Sequence, residues 1–309
     1  MSNILTDKKI LVTGGRGFLG SHIVKKLIER GVQPENIFSP SSSELDLRKP
    51  EDCESAVRGK EIIIHAAGIT GDSQFHRDHP ADIFYGNLIM GMELMEAAHR
   101  ENVEKFVAIG SATEYPKSAN MPFSEKEIWE GLPEPVHAPY ALAKRALMAQ
   151  GQAYRAQYGF HAIHLIMTSV YGDGARDESG PIPSLIKRII SAQRSGEDSV
   201  VVWGTGKPMR DFLYVDDAAE GIVLAAEKYD NPDPVNLGSG REISIKDAVG
   251  LIAEIIGFKG NLVFDATKPD GQMRRVLDIS RAEQQFGFLA KTSLEEGLRK
   301  TIKWYNSQI

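Results

Sequence analysis

Residues 8–27 read KKILVTGGRGFLGSHIVKKL. A short apolar run leads into a glycine cluster, and apolar residues at helical spacing follow, so the stretch reads as strand, tight turn and amphipathic helix. Two overlapping patterns are present, Gly14-x-x-Gly17-x-x-Gly20 and Gly15-x-Gly17-x-x-Gly20. Glycines at these spacings permit a tight turn, close approach of the backbone to a pyrophosphate and close packing of helix on strand. The helix start adds unpaired N–H groups and a positive dipole end. A glycine-rich turn alone says little; its place between a strand and a helix makes dinucleotide binding the expected role. Gly31 closes the helix.

Outward from this stretch the first half alternates strand-like and helix-like segments. NIFSP and EIIIHAAG are strands, IFYGNLIMGMELMEAAHREN is a helix, and KFVAIGS, YALAKRALMAQGQAYRAQYG and HAIHLIMTSVYG follow as strand, helix and strand. Such alternation predicts an α/β fold: a Rossmann-type doubly wound parallel sheet, with ligands beyond the carboxyl ends of its strands. After about residue 171 the rhythm changes through GDGARDESGPIP, and a smaller α/β substrate-binding lobe is expected. The division expected is residues 1–170 and about 214–245 for the dinucleotide-binding domain, and about 171–213 and 246–309 for the lobe.

The 309 residues carry a net charge of −6 with both signs mixed, so no basic footprint suggests a nucleic-acid partner. The single cysteine, Cys53, excludes an internal disulfide framework and a multi-cysteine metal site, and it reads as a structural thiol. No apolar run reaches the roughly 20 residues that span a bilayer. The start of the chain lacks the apolar core of a signal peptide, so a cytoplasmic protein is expected, with no membrane partner and no metal.

For the cofactor, an acidic residue about 20 positions beyond the glycine loop would hold the ribose hydroxyls of NAD. Ser39 and Ser41 stand there instead, and Arg16 lies inside the loop where a 2′-phosphate would sit. These residues favour NADP(H), with NAD(H) as the alternative. Asp46 and Leu47 are candidates to border the adenine, although Asp46 would equally serve as a helix cap.

Tyr140 and Lys144 lie four residues apart on a helix, hence on one face. Roughly 0.5 such Tyr-x-x-x-Lys pairs are expected by chance in this composition, so position carries the argument. The pair follows the strand that ends in Ser111. A tyrosine titrates near 10, and a neighbouring ammonium favours its phenolate. Tyr140 is therefore expected to exchange a proton with a carbonyl or alcohol oxygen as hydride moves, with Ser111 hydrogen-bonding that oxygen and Lys144 gripping the nicotinamide ribose.

TGGRGFLG, HAAG, Asn87 in NLIMGMELMEAA, GSATEY, YALAK and SVYGDG together resemble the extended short-chain dehydrogenase/reductase (NAD-dependent epimerase/dehydratase) superfamily. Longer stretches, YPKSANMPFSE, LPEPVHAPYALAK, VVVWGTGKPMRDFLYVDDAA and GFKGNLVFDATKPDG, resemble GDP-L-fucose synthase-like nucleotide-sugar reductases in the same order. The resemblance implies an NADPH-linked enzyme acting on a nucleotide-diphosphate sugar with a 4-keto-6-deoxy hexose. It implies Ser111, Tyr140 and Lys144 as the catalytic triad. Gly14, Arg16, Gly17, Phe18, Leu19, Gly20, Ser39, Asp46, Leu47, Ala66, Ala67 and Gly68 would meet the cofactor. Thr113, Ser169, Arg188, Trp203, Arg210 and Arg275 would meet the substrate, with Arg274 as an alternative to Arg275. A homodimer through the helices of Asn87 and Tyr140 is also implied.

The pattern breaks at two positions. The fucose synthases invert two carbons with a cysteine and a histidine; Thr113 and Gly180 stand there in this chain, and the loop before Gly180 looks shortened. A threonine hydroxyl does not exchange protons readily near neutrality and glycine has no side chain. Reduction without double epimerisation is therefore expected. Among the other histidines, His137 is the best placed to substitute, while His76 and His79, in a loop, are expected at the solvent. His65 and His164, in apolar strands, are expected in the core. The competing readings are a nucleotide-sugar 4-epimerase with tightly held NAD, and a non-catalytic dinucleotide-binding protein.

Overall fold

The structure is a computed structural model that describes residues 5–176 and 180–308. β1 (Ile10–Thr13), α1 (Phe18–Glu29), β2 (Ile37–Phe38), α2 (Pro50–Val57) and β3 (Ile62–His65) open the chain. α3 (Ser73–Asp78), α4 (Pro80–Arg100), β4 (Lys105–Ser111), α5 (Ala138–Tyr158) and β5 (Ala162–Met167) follow. One sheet of six parallel strands runs in the order β2-β1-β3-β4-β5 and closes on a later strand, Val235–Leu237. β1, β3 and β5 are short and buried end to end, as expected for a sheet with helices on both faces.

Alternation sorts the side chains. Ile10, Val12, Ile62 and Ile64 pack on the α1 side, and Leu11, Ile63, Phe106 and Ala108 pack against α2, α4 and α5. The connection changes direction between β1 and β3, so the glycine loop after β1 and the HAAG stretch after β3 meet at the switch point where such sheets bind ligands.

β6 (Ser169–Tyr171), α6 (Pro181–Ser195), β7 (Ser199–Trp203) and β8 (Met209–Tyr214) lead away from that sheet. α7 (Val215–Lys228) and β9 (Val235–Leu237) return to it, with α7 lying on α1. β10 (Glu242–Ser244), α8 (Ile245–Ile256), β11 (Asn261–Asp265), β12 (Arg274–Arg275), α9 (Ser280–Phe286) and α10 (Leu294–Ser307) complete the chain. β8 is flanked by β10, β12 and β6, and β7 pairs with β11, over a second core built on α6, α8 and α10.

Cys53 is fully buried, with Sγ against the Leu47 carbonyl, and burial pushes its thiol up to about 12, the state of a structural cysteine. No helix among the described residues is long and apolar enough to cross a membrane. Asp46 does not cap α2; Lys49 does so without a side-chain bond, because the Asp46 carboxylate is bound by Arg48.

Candidate active site

The glycine loop is built by contacts that exclude side chains. Gly14 has φ +68°, and a Cβ there would sit 2.9 Å from the Ala67 backbone; a Cβ on Gly20 would sit 2.1 Å from the Gly14 carbonyl. The loop thus presses onto Ala66 and Ala67, whose N–H groups donate to the Thr13 carbonyl and to Thr13 Oγ1. Gly17 is the N-cap of α1, and Phe18 and Leu19 form its first turn, half-buried beside the second core.

Arg16 reaches across to β2. Its Nε donates to the Ser39 carbonyl (3.2 Å) and its Nη2 pairs with Glu44 at 2.9 Å. Ser39 Oγ is buried and has no hydrogen-bond partner among the described residues. A guanidinium and a free hydroxyl side by side suit a 2′-phosphate. Asp46 is held by Arg48 well down, to about 2, while Leu47 is buried beside Cys53.

Asn87 fastens the loop after β3. Its side chain is buried, accepts the Ile69 N–H (3.0 Å) and donates to the carbonyls of Ile69 and Ile83. Gly68 in this loop approaches α5: a Cβ on Gly68 would lie 3.9 Å from Lys144 Nζ. The cofactor strip and the Tyr140–Lys144 pair are therefore adjacent.

Lys144 is buried, and its Nζ lies 5.7 Å from the Tyr140 ring centre. Burial pushes the ammonium down to about 8, with Glu114 opposing, and burial raises the Tyr140 phenol, with Glu114 adding to the effect. The expected depression of the tyrosine is that of a site with the lysine ammonium and an oxidised nicotinamide together; burial acts against it. Ser111 ends β4; its Oγ accepts from Thr113 N (3.3 Å) and Thr113 Oγ1 (3.0 Å).

The histidines divide differently from the expectation. His76 is not at the solvent: it is 4% exposed, on α3, its ring edge-on to Tyr140 (5.8 Å) and to His137 (4.9 Å). The loop folds into a helical turn capped by Asp72, which turns His76 onto α5, and burial drives its imidazole down to about 4. His79 is exposed beside Asp82. His137 is bound to Glu134 (3.0 Å). Burial first, then the charge of Arg275, lowers His137. His65 is buried on Thr13 Oγ1 (2.8 Å) and lowered by burial to about 3; His164 is buried on Glu114.

Two arginines stand in register, Arg210 on β8 and Arg275 on β12, and the charge of Arg275 is felt by His137 at the start of α5. Burial, then the charge of Arg275, brings Arg210 down to about 9, with Asp270 opposing. Arg274 is engaged by Glu242 at 2.7 and 2.8 Å, so Arg275, beside Arg210, is the stronger candidate of the two. Two juxtaposed guanidinium groups suit a diphosphate. Trp203 ends β7 and is 64% exposed with Lys268 over its ring, so it is a surface wall rather than a core residue. Arg188 on α6 donates to the Val201 carbonyl beside it, and Ser169 on β6 lies in register with Phe212 of β8. Gly180 caps α6; the shortened loop in front of it lies partly at 177–179, outside the described residues.

The family described as "NAD dependent epimerase/dehydratase family" matches residues 10–238. The chain belongs to that family. It is 38% identical to a probable GDP-L-fucose synthase 1 of Oryza sativa subsp. japonica, over 98% of this chain and 94% of the other. It is 35% identical to the GDP-L-fucose synthase of Escherichia coli K12, over 97% of each chain. Among solved structures it superposes on a GDP-mannoheptose C4 reductase from Campylobacter jejuni with NADP bound, with TM-score 0.89 and 27% identity over 97% and 99% of the two chains.

The sequence leaves Glu114 without a role, does not point to Gly110 and favours the solvent for His76, whereas the structure sets Glu114 and Gly110 behind Ser111 and His76 against Tyr140. The Ser-x-x-Glu spacing of Ser111 and Glu114 is a capping-box signal that would have found the first.

Proposed function

We propose that this chain reduces the 4-keto group of a nucleoside-diphosphate 4-keto-6-deoxyhexose, GDP-linked in the first instance, with NADPH, and without double epimerisation. The relatives are named for GDP-sugar synthesis and C4 reduction, and one carries NADP. The observation that carries the reading is the placement of Lys144 Nζ against Gly68, which joins the Tyr140–Lys144 pair to the glycine loop. The residues fit the cofactor: Gly14, Gly17 and Gly20 cradle a pyrophosphate, and Arg16 and Ser39 suit a 2′-phosphate.

NADPH supplies the hydride when bound. Tyr140, kept protonated by burial, gives its proton to the sugar O4, and Ser111 Oγ hydrogen-bonds that oxygen. Lys144 holds the ribose and a positive charge beside the phenol. Arg210 and Arg275 hold the diphosphate, with Trp203, Arg188 and Ser169 at the edge of the same lobe. Thr113, bonded to Ser111 Oγ, supports the substrate side of this serine and supplies no proton to carbon. Residues 1–170 and about 214–245 form the cofactor unit in this reading, and about 171–213 and 246–309 the substrate lobe. The enzyme acts in the cytoplasm as a homodimer joined through α4 and α5, where Phe84, Met92 and Leu142 are exposed; light scattering on the purified chain tests the dimer.

Mixing the purified chain with a GDP-4-keto-6-deoxyhexose and NADPH should consume NADPH at 340 nm, and proton NMR of the product should show unchanged stereochemistry at C3 and C5. No NADPH oxidation, or turnover of hexose nucleotides without added cofactor, would overturn the assignment in favour of an epimerase.

A further inference from the structure

Glu114 is a carboxylate with no exposed surface, lying directly behind the reactive groups. Its Oε1 accepts the Ser111 N–H at 2.6 Å and its Oε2 lies 2.9 Å from His164 Nε2 on β5. Its own carbonyl accepts from Arg145 Nε at 2.7 Å, which ties α5 to the end of β4 one residue beyond Lys144. The space for this arrangement is made by Gly110, where a Cβ would stand 2.3 Å from both Glu114 Oε1 and His164 Nε2. A glycine inside a core strand, a buried glutamate and a buried histidine thus form one unit.

Both Glu114 oxygens face donors, as an ionised carboxylate requires. His164 Nδ1 has no hydrogen-bond partner among the described residues, so the neutral imidazole with its proton on Nε2 is the form that strands no N–H. The negative charge therefore stays on Glu114. The groups that feel it are on α5 and on the turn itself: Tyr140, Lys144 and Arg145, and Tyr115. His76 and His137 face Tyr140 from its other side, and burial holds both imidazoles below their ordinary range.

We propose that Glu114 is the buried counter-charge of the reductive site, fixing Ser111 against α5 and setting the pH range over which Tyr140 delivers its proton. This rests on Tyr140 as the proton donor. Glu114 touches no substrate; it is a positioning residue. Its negative charge favours the protonated phenol and the ammonium, so removing it makes the phenolate easier to form. Reduction needs the ammonium as well as the phenol, and Lys144, brought down to about 8 by burial, is the member of the pair that titrates within the range tested, so activity is then lost at lower pH.

The test is kcat/KM for a GDP-4-keto-6-deoxyhexose at saturating NADPH, measured from pH 6 to 10.5 on the full chain and four variants. In Glu114→Gln the alkaline limb should move down by about one pH unit or more. His164→Gln and Glu114→Asp keep the carboxylate and should keep the limb, whatever they do to kcat. A Glu114→Gln limb that coincides with the wild type overturns the proposal, as does a His164→Gln limb displaced equally far. Should Glu114→Gln not fold, Glu114→Asp decides alone: a limb displaced downward with the charge retained overturns the idea. Tyr140→Phe separates the two readings. Full activity in that variant defeats Tyr140 as donor, whereas an inactive Tyr140→Phe beside an unmoved Glu114→Gln limb defeats only the role of Glu114.

Discussion

Lys144 and Tyr140 share one face of α5, with the ammonium 5.7 Å from the centre of the ring and both groups where burial penalises charge. In the proposed reduction this phenol is the acid, and burial favours its neutral form. Removing the hydroxyl removes the acid and leaves the packing. Tyr140→Phe should lower kcat by about 10²–10⁴-fold. Its affinity for NADPH, read by fluorescence titration, should change little.

Arg16 touches the second strand only through the Ser39 carbonyl and Glu44, and its side chain is largely exposed, so it contributes little to folding. Arg16→Ala should raise KM for NADPH by roughly tenfold or more, the scale of a lost charge-assisted hydrogen bond. KM for NADH should hardly move. Steady-state kinetics with both cofactors checks this.

Arg210 has a like charge for a neighbour and little exposed surface. Arg210→Met removes one of the two guanidinium groups proposed to hold the diphosphate and relieves repulsion on Arg275. The expected result is a rise in KM for the nucleotide sugar of about 10–100-fold with kcat within a few fold. Thermal melting of the variant should be no lower than that of the wild type.

His76 gives a pH prediction for stability. Its folded-state value lies near 4, below the ordinary 6.5, so the unfolded chain binds a proton that the folded chain does not between these limits. The stabilisation is fully present above pH 6.5 and is lost as pH falls toward 4. The slope from this one group is at most about 1.4 kcal/mol per pH unit. Urea unfolding of His76→Asn at pH 7.5 and pH 5 should show an acid loss smaller than that of the wild type by roughly 2 kcal/mol.

Much of this was legible in the sequence because it depends on neighbours in the chain. The glycine loop, the short buried strands and the Tyr140–Lys144 spacing are local patterns, and the structure places them as read. What depended on distant pairing was not legible. Arg274 and Arg275 are chemically alike, and only the register of β12 on β8, with Glu242 on β10, separates them. His76 looked like a loop residue because nothing local shows that α3 turns it onto α5.

Gly110 restricts how this protein can change over generations. Alanine at 110 meets the ends of two buried side chains at once, so Glu114 and His164 must both give up their present positions, or be replaced by smaller residues, to admit it. Each of those replacements alone strands a polar partner in the core. The three positions form a ratchet, and their substitutions should combine far from additively. Variation at residue 110 among natural or laboratory descendants would therefore report, without an assay, whether the buried charge behind the site has been given up.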